Sequence, residues 1–177
     1  MKKINHDEIN HDQTLLNSLV GLPQRILQLH EVDELSPLIL HELGHDSHFG
    51  LNKAVYLVDN PDFDSLRGVA GFCKDECSLH KADVWQDPYS FAHDMSSGQF
   101  HQQIKQFNHA SITRNHDQCS QEGLVNLGKT LGLNNPSCCM WNTRHGNHGI
   151  LLFEGRENMV EKQKSLLSQI IALLSFC

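Results

Sequence analysis

Basic runs are missing from this chain: 14 Lys and Arg stand against 21 Asp and Glu, for a formal charge of −7, and the cations are scattered. A protein that tracks a phosphate backbone needs a cationic stripe to displace counterions, so the balance argues against nucleic acid as a partner. Long apolar runs are missing too. No stretch approaches the roughly 18 apolar residues of a membrane span, and the opening MKKINHDEINHDQ has no apolar core of signal-peptide length. The expectation is a cytoplasmic protein with no membrane partner. The cysteines at 73, 77, 119, 138, 139 and 177 carry no mark of a secreted framework. Cys138 and Cys139 are adjacent, and neighbours in a strand point to opposite faces, so reduced thiols are expected. No G-x-S-x-G elbow, phosphate loop or dinucleotide fingerprint occurs.

What is present is an ordinary globular composition, 39% hydrophobic and 20% charged over 177 residues. One domain spanning 1–177, behind a polar tail at 1–12, is the natural expectation, and such a chain buries about two-thirds of its unfolded surface. Histidine is abundant, at 13 residues, so net charge should depend on pH near 6.

Apolar residues at three- and four-residue spacing predict a helix over 14–29, with Gly21 and Pro23 interrupting it. A second helix follows, capped by Asp33 or Ser36 with Pro37 early in it, and Gly50 closes it. Lys53 to Asp59 reads as a strand apolar on both faces, which predicts a sheet covered on both sides. Asn60-Pro61 breaks it, and Ser65 to Phe72 returns as an antiparallel partner. Residues 73–94 have no consistent period. Further on, a short helix is expected around Gly98 to Phe107, a short strand over His109 to Thr113 and a helix from Gln121 to Leu131. Ser137 to Thr143 and Gly149 to Glu154 read as a hairpin through residues 144–147. A last helix over 158–177 carries an apolar stripe wider than one contact needs, as if a second subunit or a following domain covered it. The fold class is α+β, with an antiparallel sheet sandwiched between the N- and C-terminal helices and a middle layer of helices and loops.

The motif that most suggests chemistry is HELGH, His41 to His45, which fits H-E-x-x-H. Histidines at i and i+4 share a helical face and can hold zinc, with Glu42 between them as general base on the bound water. That reading makes the chain a zinc-dependent hydrolase. A third ligand is not evident: the extended motif would need Gly at 48 and His at 51, where the sequence has His48 and Leu51. Leu35, Leu38, Ile39 and Leu43 form the packing face, and at about 100° per residue both histidines point away from it, towards water. Cys73, Cys77 and His80 offer another three ligands at a spacing uncommon for zinc, and unpaired cysteines are favoured there. Met140 and Trp141 are expected to pack in the core, with His145 and His148 solvated at the hairpin turn.

The stretch LHEVDELSPLILHELGHDSHFGLNKAVYLVDNPDFDSLRGVAGF, Leu29 to Phe72, resembles the GAF domain, a small-molecule sensor module. It combines an apolar helix, a glycine turn, an alternating strand ending in aspartate and a second strand running to a glycine. The C-terminal stretch GILLFEGRENMVEKQKSLLSQIIALL is similar to that family's passage from penultimate strand to last helix. The resemblance covers under half of the chain. It implies a non-enzymatic sensory domain that binds an unidentified small molecule. It implies a homodimer formed through the N- and C-terminal helices, and an output domain of histidine kinase or diguanylate cyclase type beyond the last helix. Residues 73–136 would roof the pocket, with Phe72, Phe100, Ile104, Phe107 and Met140 as its lining. Neither the cysteine and histidine motif of bilin-binding relatives nor the cyclic-nucleotide signature is recognisable, so cofactor and ligand stay unnamed. A ligand-free dimerisation module is the remaining alternative.

Overall fold

The computed structural model describes residues 32–46, 48–77, 87–114 and 120–155, together with positions 21, 166, 167, 170, 171 and 174. The helix expected over 14–29 lies outside these residues apart from position 21, as does most of the helix expected over 158–177.

Five strands form one antiparallel sheet. β1 (Lys53–Asn60) pairs on one side with β2 (Ser65–Cys73) and on the other with β5 (His148–Glu154). The two-residue β3 (Asn108–His109) lies outside β2 and β4 (Ser137–Asn142) outside β5, giving the order β3-β2-β1-β5-β4. The doubly apolar β1 is covered on both faces, as its composition predicts. Ala54 and Tyr56 join Ala70, Phe72, Leu151 and Phe153 on one face. Val55 and Leu57 join Leu66, Ile150 and Leu152 on the other.

On the first face pack α1 (Val32–Gly44), α2 (Pro88–Ser96) and the C-terminal residues Leu167, Ile171 and Leu174. Tyr56 donates its hydroxyl to the Leu174 carbonyl at 3.2 Å, which ties the chain end to the central strand. On the second face pack α3 (Gln99–Lys105) and α4 (Gln121–Thr130), with Ile112, Leu131 and Leu133 from adjoining loops. The structure is therefore the expected α+β sandwich, with one correction: the middle segment is divided. Phe91, Ala92 and Met95 of α2 join the α1 layer and do not roof the opposite face.

Local chemistry accounts for the helix starts. Asp87 accepts the Ser90 N–H at 3.2 Å and Pro88 follows it, while Ser120 accepts the Gly123 N–H at 3.1 Å. α3 begins at Gly98, which has no side chain, and Glu76 supplies the missing acceptor by taking the Phe100 N–H at 3.0 Å. In α1 the expected cap does not form at Ser36, which is buried inside the helix, and Pro37 is interior because the helix already begins at Val32. The helix ends at Gly44, and Gly50, at φ 59°, closes the turn beyond it, where its N–H reaches the His45 carbonyl.

The strand expected over His109 to Thr113 shrinks to Asn108–His109 because the next residues wrap around a carboxylate. Asp59, fully buried at the end of β1, accepts the Ile112 and Thr113 N–H groups at 3.1 and 3.3 Å and both neighbouring hydroxyls, Ser111 and Thr113. Four donors satisfy the buried charge and draw the backbone away from the ladder.

Two glycines in SLRGVAGF set how close α3 can come to the sheet. A methyl group on Gly68 would overlap the Ile104 carbonyl, and one on Gly71 would lie 2.8 Å from the Ile104 side chain. The Gly68 N–H donates to the Phe107 carbonyl at 3.0 Å, so the link between α3 and β3 caps the edge of β2 next to β3. Between these contacts the β1–β2 register shifts: Tyr56 faces Ala70 and Leu57 faces Gly68, which leaves Val69 as the extra residue of a bulge. We predict that Gly68→Ala destabilises the fold by about 3 kcal/mol, at the upper end of overpacking penalties because the obstructing atom is backbone. Urea unfolding followed by circular dichroism measures it, and a loss under about 1 kcal/mol would mean that α3 shifts freely on the sheet.

Candidate functional site

The HELGH segment occupies the last turn of α1, and its geometry is that of a packing segment. His41 is only 5% exposed, against the expectation that it faces water. Its ring meets Phe91 edge-on at 4.6 Å between centroids and Phe72 at 6.1 Å. The helix-phase argument fails because α1 is covered on two sides, by the sheet and by α2, so the side opposite the leucine stripe is interior as well. Gly44 is explained by the same packing: a side chain there would overlap the Phe72 ring. His45 is exposed, as expected. Glu42 meets a histidine outside the pentapeptide. Its carboxylate is 3.7 Å from His48 Nδ1, and that nitrogen donates to the Glu42 carbonyl at 2.7 Å, closing the C-terminal end of α1. Among the described residues no three His, Cys, Asp or Glu side chains converge as a metal ligand set.

A second constellation lies where β2 runs into the 3₁₀ turn Lys74–Glu76, beside α2 and α3. Cys73, Cys77, Met95 and His101, with Glu76 and Asp94, line a cavity of about 40 Å³. That is space for a water molecule or two. The Cys77 thiol donates to the Met95 sulfur at 3.5 Å, and burial, reinforced by Cys73 and Glu76, pushes its pKa up to about 12. A thiol held protonated is a poor nucleophile and a poor ligand, so the cavity reads as packing. His101 is buried, and its Nδ1 accepts the Gly71 N–H at 3.4 Å. Burial holds its imidazole below the ordinary pKa, and the Lys105 charge acts in the same direction. Cys138 and Cys139 sit on opposite faces of β4, one towards each core cluster, and burial raises both thiols.

The five aromatic and aliphatic residues expected to line a pocket do not surround one cavity. Phe72 packs on the α1 face, whereas Phe100 and Ile104 are buried on the α3 face with Phe107 half-buried beside them. Met140 is 41% exposed on the outer strand β4 and so departs from the core position expected of it. Its neighbour Trp141 does pack, stacked on Tyr56 at 5.8 Å and lying over Gly149.

A roomier concavity than the one at Cys77 lies beside the β1–β2 turn. A groove of about 520 Å³ is lined by Val58 and Asn60 of β1, Phe63 of the turn, Ser65, Arg67, Gly68 and Val69 of β2, and Lys105 at the end of α3. This volume is within the range of small-molecule sites. The floor includes the half-buried Val58 and Val69, and Phe63 stands 81% exposed at the rim. Arg67 is oriented from within the site, since its Nε donates to Ser65 Oγ at 3.1 Å. The sequence reading missed this groove, although a lone arginine inside an apolar strand and a phenylalanine in the polar turn Asn60–Asp64 could have marked it. Lys105 carried no such signal. Only the seating of α3 on Gly68 and Gly71 brings it to the groove.

Compared with known proteins, the chain matches no family model, no curated protein and no solved structure.

Two predictions follow from the packed histidines. His41→Ala should lower the unfolding free energy by about 2–3 kcal/mol, as for other buried rings, while His45→Ala stays within about 0.5 kcal/mol. Urea titrations distinguish this from a shared metal role, in which both changes would release bound zinc together. For His101 the folded pKa lies below the ordinary 6.5, so the unfolded chain takes up the proton first. Its contribution is undiminished above that value, declines as pH falls through it, and levels off below the folded pKa. His101→Gln should therefore flatten the stability–pH curve on the acid side of 6.5 relative to the parent protein.

Proposed function

We propose that this chain is a non-catalytic, GAF-like sensory domain of the cytoplasm, which binds a small organic ligand in the groove between the β1–β2 turn and Lys105. The observation that carries the reading is that groove: a ligand-sized concavity with an apolar floor, a few convergent polar groups and one preset guanidinium. The failure of HELGH to present its two histidines on one accessible face supports a binding role over hydrolysis. In this reading the occupied groove biases the packing of α3 against the sheet. The change passes through β1 to the layer of α1 and the C-terminal residues, where a second copy and an output domain of kinase or cyclase type would receive it. A ligand can shift such an equilibrium only by its differential affinity for the two states.

A thermal-shift screen of small metabolites tests the proposal. A true ligand at about 100 times its Kd adds roughly 2.7 kcal/mol, which for a chain of this size raises the melting temperature by about 5–10 °C. The shift should disappear in Val69→Arg, which places a charged side chain on the groove floor, while that variant still folds. A shift that survives Val69→Arg would move the site away from the groove. No shift from any compound would leave a ligand-free dimerisation module.

A further inference from the structure

The groove's charge is unlike that of the chain around it. The protein carries a formal charge of −7, yet among the described residues the charged side chains lining the groove are Arg67 and Lys105, with no carboxylate. Two of the nearby acids are engaged elsewhere, and Asp62, exposed beside Phe63 in the turn, is not among the lining residues. Asp59 is fully buried with its oxygens taken up by Ser111, Ile112 and Thr113, and Asp64 accepts the Ser111 N–H at 3.1 Å and lies 3.9 Å from Arg114. Among the described residues neither Arg67 nor Lys105 makes an ion pair. Two cations without counter-charges on one concave surface favour an anion, and a concave wall strengthens that field relative to a flat one.

The remaining lining defines the rest of the ligand. Ser65 holds Nε of Arg67, which leaves the two terminal nitrogens of the guanidinium to take an oxyanion side-on. Lys105, at the end of α3, supplies an ammonium point charge to the same lining. Between them Val58 and the bulged Val69 present an apolar floor, and Phe63 offers an aromatic face that nothing in the described fold covers. An inorganic ion would use the cations and leave that floor and face wet. An acid with a flat apolar body uses both.

We infer that the groove binds a small organic acid, a carboxylate or phosphate monoester with an aromatic or compact apolar body, whose oxyanion is held between Arg67 and Lys105 while its body lies on Val58 and Val69 beneath Phe63. This inference rests on the sensory reading above and specifies its ligand class.

Nuclear magnetic resonance titration of the full chain tests it, with benzoate and phenyl phosphate as anionic probes, benzyl alcohol as the neutral one and benzylamine as the cationic one. The anions should give saturable shifts at the amides of Val58, Gly68 and Val69. Arg67→Gln and Lys105→Gln should each weaken them at least fivefold, and Phe63→Ala should weaken them at fixed charge. Both cations are exposed, so the substituted proteins should keep their melting temperature, and Lys105→Glu gives a second reading of charge at the same position. Benzyl alcohol binding as tightly as benzoate, with no loss in Arg67→Gln, would overturn the anionic class and leave the sensory reading standing. Inorganic phosphate matching phenyl phosphate would overturn the apolar half. Shifts scattered over surface lysines and indifferent to Arg67→Gln would overturn the site, and no groove response to any probe would remove both readings together.

Discussion

The contact on which the rest depends is the seating of the Ile104 backbone over Gly68. No side chain fits between the Ile104 carbonyl and that strand, so α3 lies directly against β2. Once it is there, the Phe107 carbonyl takes the Gly68 N–H and His101 takes that of Gly71, so α3 and the residues just after it satisfy strand-edge groups beyond the short β3. The same seating closes the small cavity of Cys73, Cys77 and Met95 and brings Lys105 to the groove that Arg67 also lines. A single close approach thus shapes both the interior packing at one end of α3 and the open groove at the other.

The bulge at Val69 is the second consequence. Because side chains alternate along a strand, one extra residue lets Phe72 and Ala70 face α1 while Gly71, Gly68 and Leu66 face α3. It also releases Val69 from the ladder to floor the groove. The two core faces are therefore matched to different layers along one short strand, and the groove occurs where that matching changes.

HELGH shows how far packing accounts for a catalytic-looking pattern. His41 fills the space between α1 and α2 against Phe91, Leu43 faces the core, Gly44 admits the Phe72 ring, and Glu42 meets His48 at the helix end. Four of the five letters thus have a packing or helix-end cause, and the exposed His45 is the exception.

The amphipathic helix of α1, the doubly apolar β1, the returning β2 and the β4–β5 hairpin were determined by the sequence itself, because each follows from hydrophobic period and turn residues within a dozen positions. The covering of both sheet faces followed from β1 alone, and the opposite burial of Cys138 and Cys139 from their adjacency. Tertiary structure decided the rest. The burial of His41 depends on α2, some 50 residues away, and a helical wheel carries no information on how many neighbours a helix has. The wrapping of residues 111–113 depends on Asp59, whose buried charge outweighs local strand preference. The separation of Phe72 from Phe100 and Ile104 depends on strand parity across a bulge that no pattern announces. The groove likewise depends on long-range placement, since its floor includes the bulged Val69 and its cations come from two elements. Short-range periodicity is written in consecutive residues. Convergence is created only when distant segments share one volume.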